Sequence, residues 1–206
     1  MITEADARVL EPGTTVVLVA GGHITPLAHD TLSARRISVV SDSVVDDLAA
    51  LAPRAEIRTV ALAGDHTSLA LKRAIVSYLR GRGIAAHDLG TATSDPVDYP
   101  DTASAAALAV VRGEADAAIV IDGAGLGSTI AANKVPGARA AMCLNETLAR
   151  YAREHVGANV LALGSTLVTA EQALPIVQTF LATPMREARY IRRLAKIRAL
   201  ETRLRI

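Results

Sequence analysis

The stretch IVIDGAGLGSTIAANKV, residues 119–135, limits more than any other what this chain can fold into. Residues 117–121 are continuously apolar, the pattern of a strand buried on both faces. Gly123, Gly125 and Gly127 then alternate, and Ser128 stands where it can cap a helix running through Lys134. Three glycines let the backbone turn tightly with its N–H groups exposed. The helix N-terminus adds partial positive charge, so the turn suits an anionic or oxyanionic group. Asp122 sits at the mouth of that turn. Its carboxylate is either aimed at whatever the turn binds or accepts local backbone hydrogen bonds.

The sequence on either side repeats the same unit. Strands are predicted at 60–63, 84–89, 139–144 and 159–163. Leu71, Ile75, Tyr78 and Leu79 share one helical face that Gly81 and Gly83 end, and further helices are predicted at 102–112, 146–154 and 170–181. Residues 90–100, rich in Thr, Ser, Asp and Pro, read as a loop. Strands separated by helices of this length imply right-handed crossovers and a parallel sheet covered on both faces. The expected fold class is therefore α/β, a Rossmann-like three-layer sandwich. Ligands of such sheets bind at the carboxyl ends of the strands, and Asp65-His66, Asp122 with its glycines, and Gly164-Ser165 all follow strands. Residues 58–206 form this domain.

Residues 1–57 read as a small N-terminal extension. Strands at 15–20 and 37–40 flank a helix that Thr25 caps, with Pro26 at its first position and an end near Arg36. Residues 49–56 look like a helix end and linker broken by Pro53. So small a unit is expected to pack on the main domain or on a partner chain.

Composition narrows the function. The 206 residues are 50% hydrophobic and 21% charged, as in a globular protein, and the formal net charge is +1. That balance, with four Tyr, one Phe and no Trp, argues against a nucleic-acid partner and against a base-stacking platform. The single Cys143 excludes an intrachain disulfide and a multi-cysteine zinc site. Its place in the apolar run 140–144 marks it as a buried thiol, which fits a reducing cytosol and a cytoplasmic location. No apolar run approaches the ~20 residues of a membrane span, and MITEADARVLEPG lacks the cationic start and apolar centre of a secretory signal. His23 and His29 have no clear third ligand and read as surface residues, so no metal is expected. From Met185 onward the tail reads as an amphipathic helix with a basic face, docked on a neighbour or reaching a phosphate.

Taken together, the motifs GDH at 64–66, VDYPD at 97–101, GAGLGSTIAANKVPGARAA at 123–141, REH at 153–155 and NVLALGS at 159–165, with Arg189 and Arg193, form a set. From Arg58 to Leu200 the chain resembles the sugar-phosphate isomerase family of ribose-5-phosphate isomerase B and the galactose-6-phosphate isomerase subunits. The resemblance implies aldose–ketose interconversion through an enediolate, without metal or organic cofactor. It also implies a homodimer or homotetramer whose active sites are shared between subunits. Asp65 and His66 would lie near the sugar and its phosphate, Asp65 among the catalytic residues, and Tyr99 would line the sugar pocket. Backbone N–H groups of Gly123, Gly125 and Gly127 would hold the enediolate oxygen. Asn133, in the AANKVPG run, would join the substrate-binding residues. His155 would assist ring opening across the subunit boundary, and Arg189 and Arg193 would bind phosphate.

Four positions depart from the family pattern. Asp122 stands where the catalytic Cys is usual, Ala124 where a Thr helps proton shuttling, Val156 where an Asn follows the His, and Tyr190 where a His follows the first phosphate arginine. A carboxylate can serve as base for this reaction, as a Glu does in triosephosphate isomerase. The expected function is therefore a sugar-phosphate aldose–ketose isomerase with Asp122 as base. Two alternatives stand beside it. One is a non-catalytic or partner-dependent sugar-phosphate-binding member of the family. The other is a dinucleotide-binding domain, against which the Gly-x-Gly-x-Gly spacing and the Asp65-His66 end of the domain's first strand both argue.

Overall fold

The computed structural model of the protein describes residues 1–18, 21–41 and 51–203. The chain divides into two compact units, Met1–Leu51 and Ala52–Ile206.

In the first unit, helix α1 (Glu4–Val9) precedes a parallel pair, β1 (Thr15–Leu18) and β2 (Ser38–Ser41), joined through α2 (Pro26–Ala34). Thr25 caps α2 by accepting from the Ala28 N–H at 3.3 Å, and Pro26 opens the helix, where a missing N–H costs nothing. Ala7, Ala28, Leu32 and Ile37 form its small core. The predicted end of the first strand and the start of the predicted 49–56 helix end lie at residues 19–20 and 42–50, outside the described residues.

The second unit carries a five-stranded sheet, β3 (Thr59–Gly64), β4 (Ala85–Asp88), β5 (Ala117–Asp122), β6 (Ala140–Met142) and β7 (Val160–Gly164). Their spatial order is β4-β3-β5-β7-β6 and every pairing is parallel. The connecting helices are α3 (Leu69–Gly81), α4 (Tyr99–Val111), α5 (Leu126–Ala132), α6 (Glu146–Glu154) and α7 (Ala170–Ala182), followed by α8 (Ala188–Arg203). This is the expected three-layer α/β fold.

Side chains that alternate along the strands sort the two faces. Val60, Leu62, Ile119, Ile121, Leu161 and Leu163 point to one core with Leu71, Ile75 and Phe180 of α3 and α7. Ala61, Ala63, Ala118, Val120 and Ala162 point to the other, against Ala103, Ala106 and Ala107 of α4. Alanine on both sides of that contact lets α4 lie close to the sheet.

Two helices begin earlier than the pattern predicts. α4 starts at Tyr99 because Pro100 is tolerated in a first turn. α5 starts at Leu126, not at Ser128, for a reason that lies in the site itself.

Two buried cations fix the loops. The Lys72 Nζ donates to Asp88 Oδ1 at 2.8 Å and to the Thr91 carbonyl at 2.5 Å, tying the 90–98 loop to α3. Arg153, fully buried, donates to the carbonyls of Thr183, Ala158 and Arg54. Burial, with a smaller contribution from Arg139, pushes its pKa down to about 10, so it stays charged at neutral pH.

Candidate active site

The central strand β5 ends on Asp122, which is 4% exposed. A buried carboxylate must be paired or hydrogen-bonded, and the turn supplies the donors. The Ala124 N–H donates to Asp122 Oδ1 at 2.8 Å, Gly125 N–H donates to the same oxygen, and Ser128 N–H donates to Oδ2 at 2.6 Å. Asp122 thus caps α5 from outside the helix, and Ser128 is not the capping residue. The cap residue is Gly125, at φ +76°, where a Cβ would fall 2.9 Å from the Gly164 nitrogen. Only glycine allows both that backbone conformation and that approach to β7.

This corrects the expectation for the turn. Its N–H groups do not all face a ligand, because Gly125's is taken by Asp122. Among the described residues, no protein acceptor meets the N–H groups of Gly123, Leu126 and Gly127. Those three are the N–H groups that the turn leaves available to an oxyanion.

The strands beside β5 bring further groups to the same edge. Asp65, at the end of β3, accepts at Oδ1 from the Thr67 N–H at 2.9 Å and from the Thr67 hydroxyl at 2.6 Å. The Thr67 and Ser165 hydroxyl oxygens lie 3.2 Å apart, linking the ends of β3 and β7 across β5. His66 Nδ1 accepts from the Val97 N–H at 3.4 Å, which leaves the proton of the neutral ring on Nε2. Tyr99 lies over the turn: a Cβ on Gly127 would fall 2.5 Å from Tyr99 Cζ, so Gly127 is glycine to seat that ring. Asp65, His66, Tyr99, Asp122 and the glycine turn therefore share one end of the sheet.

His155, Arg189 and Arg193 share the other. α6 runs back from the carboxyl edge and ends at His155, close to the start of β7. The five residues of β7 separate that end from Asp122 by roughly 16 Å. There the His155 ring stacks on Tyr151 and meets Tyr190, both with centroids 4.6 Å away. The Arg189 and Arg193 guanidiniums lie 4.7 Å and 5.5 Å from the centre of the same Tyr190 ring. Within one chain, the structure brings His155 and the two arginines together and leaves them apart from Asp122.

Asn133 has a structural partner of its own. Its Nδ2 donates to the Ala140 carbonyl at 2.9 Å and its Oδ1 accepts from the Ala140 N–H at 2.8 Å. Both ends of the amide pair with the backbone of β6, so Asn133 holds the edge strand. Cys143 is buried, and burial pushes its thiol up to about 12, which removes it as a base. Thr67 is a residue of this edge that the sequence reading does not name, and Tyr190, beside His155, is named there only as a departure from the family pattern. The one signal for Ser165 is its place directly after a strand. Among the described residues, no group of three or more His, Cys, Asp or Glu is placed to hold a metal ion, and no helix is long and apolar enough to cross a membrane.

The profile of the Ribose/Galactose Isomerase family matches residues 60–197. Ribose-5-phosphate isomerase B of Escherichia coli (strain K12) is 42% identical over 147 residues, spanning 71% of this chain and 99% of that protein. Ribose-5-phosphate isomerase B of Clostridium thermocellum has a solved structure that superposes with a TM-score of 0.69 at 46% identity, covering 70% of this chain and 98% of that one. The Mycoplasma genitalium ribose-5-phosphate isomerase B, solved with bound ribulose-5-phosphate, superposes at 0.67 with 38% identity, covering 70% and 96%.

Proposed function

Because the chain belongs to the Ribose/Galactose Isomerase family, we propose that it interconverts an aldose phosphate and a ketose phosphate through an enediolate, with Asp122 as the base on carbon. The observation that carries the reading is the convergence at one sheet edge of a buried carboxylate, three open N–H groups and two hydroxyls. Proton abstraction beside a carbonyl needs a base about 3 Å from the proton and donors at the developing oxyanion. Asp122 Oδ2 accepts a single N–H and keeps one lone pair for the proton. The N–H groups of Gly123, Leu126 and Gly127 hold the oxyanion, and His66 Nε2–H and Tyr99 bind the sugar.

The phosphate and ring-opening groups come from a second copy. His155, Arg189 and Arg193 stand a strand's length from Asp122 in their own chain, so a homodimer or homotetramer with shared sites completes the pocket. Ribose-5-phosphate and ribulose-5-phosphate are the first pair to test, since the relatives carry that name. Incubation in deuterated water with tetrose, pentose and hexose phosphates is expected to give conversion and carbon-bound deuterium with one of them. Binding without exchange by any of them would favour the second reading, a non-catalytic sugar-phosphate binder. The three N–H bonds on Asp122 are the observation behind that alternative.

Phosphate binding has its own test. Arg189→Ala and Arg193→Ala are each expected to weaken sugar-phosphate binding by about 1–3 kcal/mol, as for charge-assisted hydrogen bonds. The exposed Arg198→Ala is expected to leave it unchanged. Equal losses at all three in titration calorimetry would mean general attraction to a basic helix and no defined phosphate site.

A further inference from the structure

Turning an aldose into a ketose moves two protons, one from C2 to C1 and one from O2 to O1. The isomerase reading gives Asp122 the first, and any assignment of the second rests on that reading. Nothing on the glycine turn carries the second proton, since Ala124 has no exchangeable side-chain proton. From the hydroxyl pair that spans the turn, we infer that Thr67 and Ser165 are the residues that move the proton between the sugar oxygens.

The geometry is built for it. Thr67 Oγ1 and Ser165 Oγ lie 3.2 Å apart, at the ends of the strands to either side of β5. Thr67 commits its proton to Asp65 Oδ1 at 2.6 Å, so in the resting pair Ser165 is the donor and Thr67 the acceptor. Ser165 Oγ keeps lone pairs free to take a proton from one oxygen of an enediol, and Thr67, once it turns from Asp65, has a proton to give to the other. Gly123 leaves the space open: the nearest atom to a Cβ placed there is Thr67 Oγ1, at 3.9 Å. The side of Gly123 where a side chain would stand is thus open to a sugar oxygen beside the Thr67 hydroxyl. Thr67 is exposed and Ser165 half-buried, so both hydroxyls are accessible.

The transfer is a closed relay. The O2 hydroxyl gives its proton to Ser165 Oγ, Ser165 passes its own to Thr67 Oγ1 along the direction the pair already holds, and Thr67 turns from Asp65 and passes its own to O1. Three O–H bonds break and three form, and both side chains end as they began. Asp65 keeps hold of Thr67 through the backbone N–H at 2.9 Å while the hydroxyl turns. Asp65 is in this step a positioning residue, its charge aligning the chain of hydroxyls.

The test separates carbon chemistry from oxygen chemistry. Wild type, Thr67→Val, Ser165→Ala and Thr67→Ser are incubated with ribose-5-phosphate in deuterated water. Loss of the C2 proton signal and formation of ribulose-5-phosphate are followed together by NMR. In Thr67→Val and Ser165→Ala the enediolate still forms and returns, so C2 exchange is expected to continue while conversion falls about 100-fold, the lower range for proton transfer by a positioned side chain. Thr67→Ser, which keeps the hydroxyl, is expected to recover most of the conversion. Exchange and conversion falling by the same factor, or conversion at the wild-type rate in either variant, overturns the relay and leaves the isomerase reading standing. Wild type that neither exchanges nor converts the substrate overturns that reading and the relay with it.

Discussion

Asp122→Asn is expected to lower turnover by at least ~100-fold, because the amide keeps the size of the carboxylate and loses its basicity. The structure adds a second consequence. Asp122 accepts three N–H bonds, two at Oδ1 and one at Oδ2. An amide has one oxygen, so its NH2 must face either the Ser128 N–H or the pair from Ala124 and Gly125. At least one buried donor then loses its partner, at a cost of about 1–3 kcal/mol. In a chain of this size that corresponds to a fall in Tm of about 2–4 °C per kcal/mol. Turnover and melting are therefore measured on the same preparation. A lowered Tm with wild-type turnover makes Asp122 an anchor of the turn and places the base elsewhere. Loss of turnover far beyond what a few degrees of destabilisation produces, well below the melting range, assigns it the chemistry. Asp122→Cys replaces two carboxylate oxygens by one sulfur, a weaker acceptor for the same three N–H groups, and is expected to melt below wild type, even if a thiolate there supports exchange.

The sheet and its carboxyl edge are legible in the sequence because burial on both faces leaves continuous apolar runs, and each run stops at a glycine or a polar residue. For β5 the prediction and the structure differ by one residue, Asp122 itself. What periodicity does not carry is the destination of a polar side chain. Asn133 reads as part of a ligand-binding run, yet its amide has the same donor–acceptor pair as a peptide group and is spent on Ala140. Ser128 reads as a helix cap, yet a carboxylate six positions upstream reaches its N–H first. Thr67 and Ser165 are 98 residues apart and are joined only by the strand order, which sequence spacing does not encode. Tyr190 is a departure from a family pattern in the sequence. In space it is the ring around which His155, Arg189 and Arg193 are arranged.

If each pocket takes Asp122 from one chain and His155 with the arginines from another, Asp122→Asn and His155→Ala break different halves of the same site. Each variant alone is expected to be nearly inactive in conversion of the cyclic sugar phosphate. Unfolding and refolding an equal mixture lets the chains pair at random, and half the dimers then contain one chain of each kind. Such a dimer has one pocket with both defects and one with neither, so activity is expected to return to about a quarter of wild type from two preparations that have almost none. His155 lies beyond the whole length of β7 from Asp122, too far for both to touch one small sugar in a single chain, which makes the result decisive. A mixture that stays inactive while light scattering shows mixed dimers would mean that every pocket is built within one chain. The His155 cluster would then be a packing feature of α6 and α8, and its arginines would bind no substrate phosphate at the neighbour's glycine turn.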